Sequence, residues 1–252
     1  MKYLKKFETH AEYEAYKNSQ DYLTPNVSYC VDRDEVHFGK YEPAPEPTET
    51  RLVATYNISD INQSTNIVGY DPREGTYYTS YFSAVEIDGN TQSEVIGSYQ
   101  FDTIGEHIAK FTLIDTTMIS FKSFFRCSNL KSIVIPYGVT TIGLNAFYNC
   151  TGLSSVTIPD SVTTLLDSAF ISCTGLTSVT IPDSVTTMGS SFQGCTGLTS
   201  ITCLPITPPT INTITFNGSD CPIYVPAESV EAYKAAATWS TYASRIQAIP
   251  TT

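Results

Sequence analysis

Residues 150–168 read CTGLSSVTIPDSVTTLLDS, and residues 173–190 read CTGLTSVTIPDSVTTMGS. The near-identity extends in both directions. Cys127, Cys150, Cys173 and Cys195 are spaced by 23, 23 and 22 residues. A period in the low twenties is too short for a unit to bury its own apolar face, so such units stack on copies of themselves and form a solenoid. Stacked repeats build surfaces, which directs attention to binding before catalysis.

Aligned on the cysteines, Leu130, Leu153, Leu176 and Leu198 share one column. Ile133, Val156, Val179 and Ile201 form the next, followed by Ile135, Ile158, Ile181 and Cys203. This L-x-x-V-x-I spacing predicts a short strand with alternate residues inward. Pro136, Pro159 and Pro182 end it, because proline has no N–H to give a ladder. A second apolar set follows in Val139, Val162 and Val185, then Ile142, Leu165 and Met188, then Phe147, Phe170 and Phe192. The third unit is one residue short between Met188 and Phe192, so an irregularity is expected there.

The C-x-x-L-x-x-V-x-I-P core, followed by V-T-x-[IL]-x-x-x-A-F at 139–147 and 162–170, resembles the BspA-like leucine-rich repeats of bacterial surface proteins. The resemblance covers roughly residues 107–249. It implies a curved parallel sheet and a role in adhesion or in binding a protein or glycan, with no catalytic residues to carry over and no cofactor.

The outward strand positions are Ser132 and Val134, Ser155 and Thr157, Ser178 and Thr180, and Ser200 and Thr202. They form a nearly uncharged ladder of small polar side chains, readable either as a solvated face or as a flat contact surface. The repeat cysteines have no second Cys or His nearby, so zinc spacing is absent. They read as buried reduced thiols acting as small hydrophobes, and the odd total of 7 argues against a complete disulfide framework. No metal site is expected.

The array closes with CPIYVP (221–226), a last strand with Ile223 and Val225 inward, and AESVEAYKAAATW, a helix with Val230, Tyr233 and Ala237 on one face. Trp239, Tyr242 and Ile246 continue the apolar cover, as a terminal coil requires. This ending also looks like the C-terminal close of BspA-like proteins.

With 14 basic and 25 acidic residues the net charge is −11, and no basic patch exists to neutralise phosphate, so nucleic acid is not an expected partner. No stretch approaches the ~20 apolar residues of a membrane span. The N-terminal MKYLKKFETHAEYEAYK lacks the apolar core of a signal peptide.

Five segments follow from this reading: an N-terminal helix and hairpin module (1–40), a Pro-rich linker (41–50), an immunoglobulin-like β-sandwich (51–114), a solenoid (107–226) and a helical cap (227–252). The fold class expected is mainly β: a small sandwich fused to a leucine-rich-repeat solenoid, behind a short helix-plus-hairpin module. In the first segment, Leu4, Phe7, Ala11 and Ala15 stand at helical spacing, and 26–38 alternates as a hairpin. So little core predicts docking on a partner, with self-association with another copy as one candidate. Phe7 to Tyr16, Pro25 to Cys30 and Glu35 to Phe38 resemble a short leader on phage and prophage structural proteins of gut anaerobes. That resemblance implies attachment to a virion. YEPAPEPTET is a stiff spacer.

In the middle segment, candidate strands are 51–58, 65–70, 77–87, 93–101 and 107–114, split by polar turns. YQFDTIGEHIAKFTL looks like the closing strands of immunoglobulin-like bacterial modules. Tyr77, Tyr78, Tyr81 and Phe82 read as sheet packing or as a sugar-stacking patch. No linker precedes Cys127. Ile108, Phe111 and Leu113 reproduce the repeat spacing, so 107–114 is expected to close the sandwich and also to begin the parallel sheet. His10, His37 and His107 belong to no catalytic or metal motif. The expectation is therefore a non-enzymatic binding or adhesion protein, or else a structural, decorating or fibre-type component of a phage virion. A bacterial cell surface or a virion is the location that the resemblances imply.

Overall fold

The computed structural model describes residues 28–32, 35–39 and 51–250. The chain divides into compact units at 1–48 and 49–252. In the first, strands β1 (Ser28–Asp32) and β2 (Glu35–Gly39) pair antiparallel, with Val31 against Val36. The helix expected over 4–18, most of the phage-like leader and the spacer 41–50 lie outside the described residues.

The second unit starts with β3 (Leu52–Ile58), β4 (Thr65–Asn66), β5 (Tyr70–Asp71), β6 (Thr76–Tyr77), β7 (Phe82–Ile87), β8 (Asn90–Thr91), β9 (Ser98–Tyr99) and β10 (Gly105–Leu113). β10 is antiparallel to both β3 and β7, and β7 turns back into β8. The Asp88-Gly89 turn has φ of 48° and 82°, the positive values that suit a tight hairpin. The five-strand sandwich expected here is not what this sheet shows. Instead, β4–β9 and β5–β6 are separate two-stranded ladders beside it. Within 59–75, side-chain hydrogen bonds close local turns that compete with longer strands. Asp60 accepts from the Asn62 backbone N–H and from the amides of Asn62 and Gln63, and Asp71 accepts from the Arg73 backbone N–H. Of the aromatic cluster, Phe82 and Tyr78 are buried, and Tyr77 packs on Tyr70 with centroids 4.7 Å apart.

The repeats supply β11 (Met118–Ile119), β12 (Leu130–Val134), β13 (Thr141–Ile142), β14 (Ser155–Thr157), β15 (Thr164–Leu165), β16 (Ser178–Ile181), β17 (Ser200–Cys203), β18 (Ile223–Val225) and β19 (Ile246–Ala248). Each coil has three walls. The first is the parallel pairs β12–β14 and β16–β17–β18–β19. The second is β11–β13–β15, extended by bridges from Thr164 to Thr187 and on to Thr210. The third is a run of turns carrying the phenylalanines. There, Phe124 N–H donates to the Ala146 carbonyl, Phe147 to Ala169 and Phe170 to Ser191, at 2.7, 2.7 and 2.9 Å. Phe124, Phe147, Phe170 and Phe192 stack with centroids 5.3, 5.0 and 5.3 Å apart and planes within 5°. Phe216 adds a fifth ring at 6.1 Å.

The one-residue deletion falls at Gly189, whose φ is +31° and where an added Cβ would lie 2.3 Å from Asp167 Oδ1. The Asp167 carboxylate fills the gap by accepting from Ser190 N–H at 2.9 Å and from the Asn212 amide at 3.1 Å.

The strand beside the first repeat strand is β3, not 107–114. Val53 faces Val134 and Ala54 faces Ile133, antiparallel, giving the order β14-β12-β3-β10-β7-β8. In a regular strand, positions i and i+3 fall on opposite faces. Ile108 therefore points outward at 46% exposure, while His107, Ala109, Phe111 and Leu113 are buried. The inward set of β3 (Leu52, Ala54, Tyr56 and Ile58) closes the first coil. Burial pushes the Tyr56 hydroxyl pKa up, reinforced by neighbouring Cys127 and Cys150, and that hydroxyl donates to the Ile67 carbonyl.

A second seam runs from 69–71 to 122–125. Gly69 N–H donates to the Ser123 carbonyl at 2.8 Å and Tyr70 N–H to Phe125 at 3.2 Å. The approach is so close that a Cβ on Gly69 would stand 1.9 Å from the Lys122 carbonyl oxygen.

At the far end the helix is shorter than expected, Val230–Ala235, and Ala237 is exposed. Ala236 turns to an extended conformation, and the chain continues as a 3-10 helix, Trp239–Arg245, before β19 joins β18. β19 was not anticipated as a strand. Trp239 and Tyr242 lie against Phe216, Tyr233 packs on Trp239, and the polar ends of all three donate to the last coil. Tyr233 Oη reaches the Pro205 carbonyl at 2.7 Å, Trp239 Nε1 reaches Pro209 at 2.8 Å and Tyr242 Oη reaches Thr213 at 2.6 Å.

Candidate functional site

The hydroxyl and thiol columns of the repeats fall into two kinds. One kind stitches coil to coil. Thr140, Thr163 and Thr186 donate to the carbonyl one coil back (Thr117, Thr140 and Thr163) at 3.1, 3.3 and 3.3 Å. Ser161 and Ser184 do the same to Val139 and Val162 at 2.8 and 2.7 Å. The cysteines belong here as well. Sγ of Cys150, Cys173 and Cys195 donates to the carbonyls of Phe124, Phe147 and Phe170 at 3.0, 3.1 and 3.0 Å. Cysteine in this column is therefore more than a small hydrophobe, since its thiol adds a second, coil-to-coil hydrogen bond to a carbonyl that already accepts the backbone N–H of Cys127, Cys150 or Cys173.

Cys127, Cys150, Cys173, Cys195, Cys203 and Cys221 are all buried and free. Burial pushes the Cys150 thiol up to about 12 and raises Cys127, Cys173 and Cys203 as well. Thiol reagents attack the thiolate. At pH 8 the native protein is expected to leave these six unreacted, whereas all 7 cysteines should titrate after unfolding. Full reactivity without denaturant would contradict the buried column.

The other kind is the outward ladder. Among the described residues, the hydroxyls of Ser132, Ser155, Thr157, Ser178, Thr180, Ser200 and Thr202 have no hydrogen-bond partner within the protein. Ser155, Thr157, Ser178 and Thr180 are exposed, and Ser132, Ser200 and Thr202 are half-buried. Ser132 pairs with Ser155, Ser178 with Ser200, and Thr180 with Thr202. The ladder is interrupted once, between β14 and β16, where the two sheets part.

At its other end the face runs on into the antiparallel strands. One row passes from Ser132 to Thr55 and Ile108, the next from Val134 to Val53, Lys110 and Glu86. Glu86 also pairs with Arg51 at 2.8 Å. These added residues were invisible in the sequence because the register of β3 on β12 is a long-range fact. His107 is not part of this face. It is buried, with Nδ1 2.6 Å from Asp88 Oδ2 and Nε2 3.0 Å from the Thr103 carbonyl. Among the described residues, no three His, Cys, Asp or Glu side chains could hold a metal ion, and no helix is long and apolar enough to cross a membrane.

Several solved structures resemble the chain. A leucine-rich repeat protein from Bacteroides capillosus aligns over 41% of this chain and 69% of its own, at 27% identity and a TM-score of 0.33. The pneumococcal vaccine antigen PcpA aligns over 54% of this chain and 38% of its own, at 20% identity and a TM-score of 0.42. A leucine-rich repeat protein of T. pallidum aligns over 56% and 70%, at 21% identity and a TM-score of 0.30. No curated protein matches. The family model of a BspA-type leucine-rich repeat region, in six copies, matches residues 94–223. That span is just over half of the sequence and contains the cysteine, proline and phenylalanine columns, so the chain belongs to the BspA-type leucine-rich repeat family.

Proposed function

We propose that this chain is a non-enzymatic binding protein that presents the outward face of its first-wall sheet to a protein or glycan partner. The observation that carries the reading is the contrast between the two hydroxyl classes. The stitching hydroxyls spend their donors on the fold. Those of Ser155, Thr157, Ser178 and Thr180 stand exposed and, among the described residues, have nothing inside the protein to hold. Flat, nearly uncharged strands whose hydroxyls are unspent suit a partner that supplies its own donors and acceptors.

The test is a full-chain screen on glycan and protein arrays, repeated with the double variant Thr157→Arg/Thr180→Arg. The variant is expected to lose the wild-type hit and to melt within about 1 °C of wild type, because exposed substitutions away from special features change stability little. Unchanged binding by a folded double variant would place the site elsewhere.

A further inference from the structure

The third wall carries a second and different surface at its N-terminal end. A cleft of about 460 Å³ is lined by Arg73, Lys122, Arg126, Asn145, Tyr148 and Asn149, with Phe125 as its apolar lining. In a chain of net charge −11 this is a concentration of cations, and two of the three are already engaged. Lys122 Nζ spends its three donors on Asp71 at 2.7 Å, Tyr78 at 2.9 Å and Glu74 at 3.1 Å. Arg73 holds Asp71 through Nε and Nη2, at 3.3 and 3.1 Å. Arg126 is different. Among the described residues its guanidinium has no hydrogen-bond or ion-pair partner, only the Phe125 ring at 6.0 Å. The cleft therefore holds one uncompensated cation.

Its supports are rigid. Arg126 N–H donates to the Tyr148 carbonyl at 2.8 Å and Asn149 N–H to Ile171 at 2.7 Å. Tyr148 stacks on Phe125 at 5.1 Å with planes 16° apart.

We propose that this cleft binds an acidic sugar residue. Arg126 would grip its carboxylate or sulfate, and Asn145, Asn149 and the Tyr148 hydroxyl would take the ring hydroxyls. A guanidinium fork matches a carboxylate or sulfate bidentately. A carboxamide offers a donor and an acceptor side by side, which suits the hydroxyls of a sugar. The volume lies in the range of small-ligand sites. An acidic peptide fits less well, because Phe125 is the one apolar lining side chain and leaves no pocket for the residues flanking an acidic one.

A left-handed backbone favours asparagine but gives no reason for an arginine. Residues 122 and 126, 145 and 149, and 168 and 172 all have φ between 55° and 64°, and the columns read Lys and Arg, then Asn and Asn, then Ser and Ser. The conformation by itself suits the asparagines, whereas the Arg126 guanidinium is a choice of side chain that it does not favour. By Gly194 the second column has no side chain at all, which confines the cleft to the first two coils.

This inference rests on the reading of the chain as a binding protein but uses a wall other than the hydroxyl ladder. It is tested by calorimetric titration of the full chain with trigalacturonate, a sulfated galactose disaccharide, neutral galactobiose, inorganic sulfate and triglutamate. At least one acidic sugar should bind about tenfold or more tighter than galactobiose, sulfate and triglutamate, weakening with added salt. Arg126→Asn and Asn149→Ser, each taking the residue its own column carries one coil on, should fold normally. The first should lose about tenfold or more in affinity and the second several-fold, while Thr157→Arg/Thr180→Arg should bind as wild type. Absence of acidic-sugar binding, unchanged binding in Arg126→Asn, or equal binding of sulfate or triglutamate would each overturn the proposal. Acidic-sugar binding lost only in the Thr157→Arg/Thr180→Arg variant would overturn it and leave the ladder reading standing.

Discussion

Phe147→Ala is expected to lower the melting temperature by roughly 6–20 °C, from about 3–5 kcal/mol for truncating a buried phenylalanine and about 2–4 °C per kcal/mol in a domain of this size. The ring is fully buried and stacked on both faces, 5.3 Å from Phe124 and 5.0 Å from Phe170. Its removal opens a cavity that neither neighbour can fill, because each is fixed by its own backbone. Phe124 N–H is bonded to Ala146 and Phe147 N–H to Ala169, so the coils cannot slide together. Solenoid stability is a sum of repeat terms and nearest-neighbour interfaces, and this one substitution weakens two interfaces. Phe147→Leu should lose less, and Tyr137→Ala, at a site 71% exposed, should melt within about 1 °C of wild type. Thermal unfolding of the three variants under one buffer is the measurement. A Phe147→Ala protein that melts with wild type would show that the stack is not what holds the coils together.

What could be read from the sequence was whatever the period repeats. The columns of Leu, Val or Ile, and Phe are buried as expected apart from Val156, which is half-buried, because a contact made once per coil is written once per coil. The outward direction of Ser132, Ser155, Thr157, Ser178, Thr180, Ser200 and Thr202 followed from the same alternation. Contacts made only once were not legible. The pairing of β3 with β12 joins residues some 80 apart and leaves no periodic trace, and Ile108 matched the repeat spacing by coincidence while pointing to the other face. The cysteine hydrogen bonds were not legible because spacing reveals that a position is buried, not which group its side chain meets. The Arg126 cleft was missed for a related reason. Its residues lie in columns where the repeat is least uniform, and departure from uniformity was the available signal.

Lys122→Met is expected to lower the melting temperature by about 10 °C, the order expected when one partner of a buried ion pair is removed, and to open the 105–127 segment to protease. Lys122 is 5% exposed and anchors the first coil to the β5–β6 turn through Asp71 and Glu74. Burial opposes its charge, but the hydrogen bonds to Asp71, Tyr78 and Glu74 more than offset this, so its pKa is raised. The Asp71 carboxyl is held well below the usual carboxylate range, first by Arg73 and then by Lys122. A depressed carboxylate contributes stability that is complete above its unfolded pKa, about 3.9, and is lost as pH falls through the lower native value. The wild-type joint should therefore weaken only below about pH 4, and Lys122→Met should lose part of that acid sensitivity along with the stability. Methionine keeps the length of the apolar stem while deleting the ammonium, so the loss reports the buried charge and not a cavity. The double variant Lys122→Met/Asp71→Asn should recover part of the loss, because the carboxylate then no longer sits buried with a single cation. In the wild type, the seam at 69–71 and the β3–β12 pairing protect 105–127 together. Trypsin and chymotrypsin should spare that segment until the joint is broken. Cleavage within 105–127 in native wild-type protein, or a Lys122→Met variant as resistant and as stable as wild type, would show that the antiparallel sheet and the solenoid are not locked through this residue.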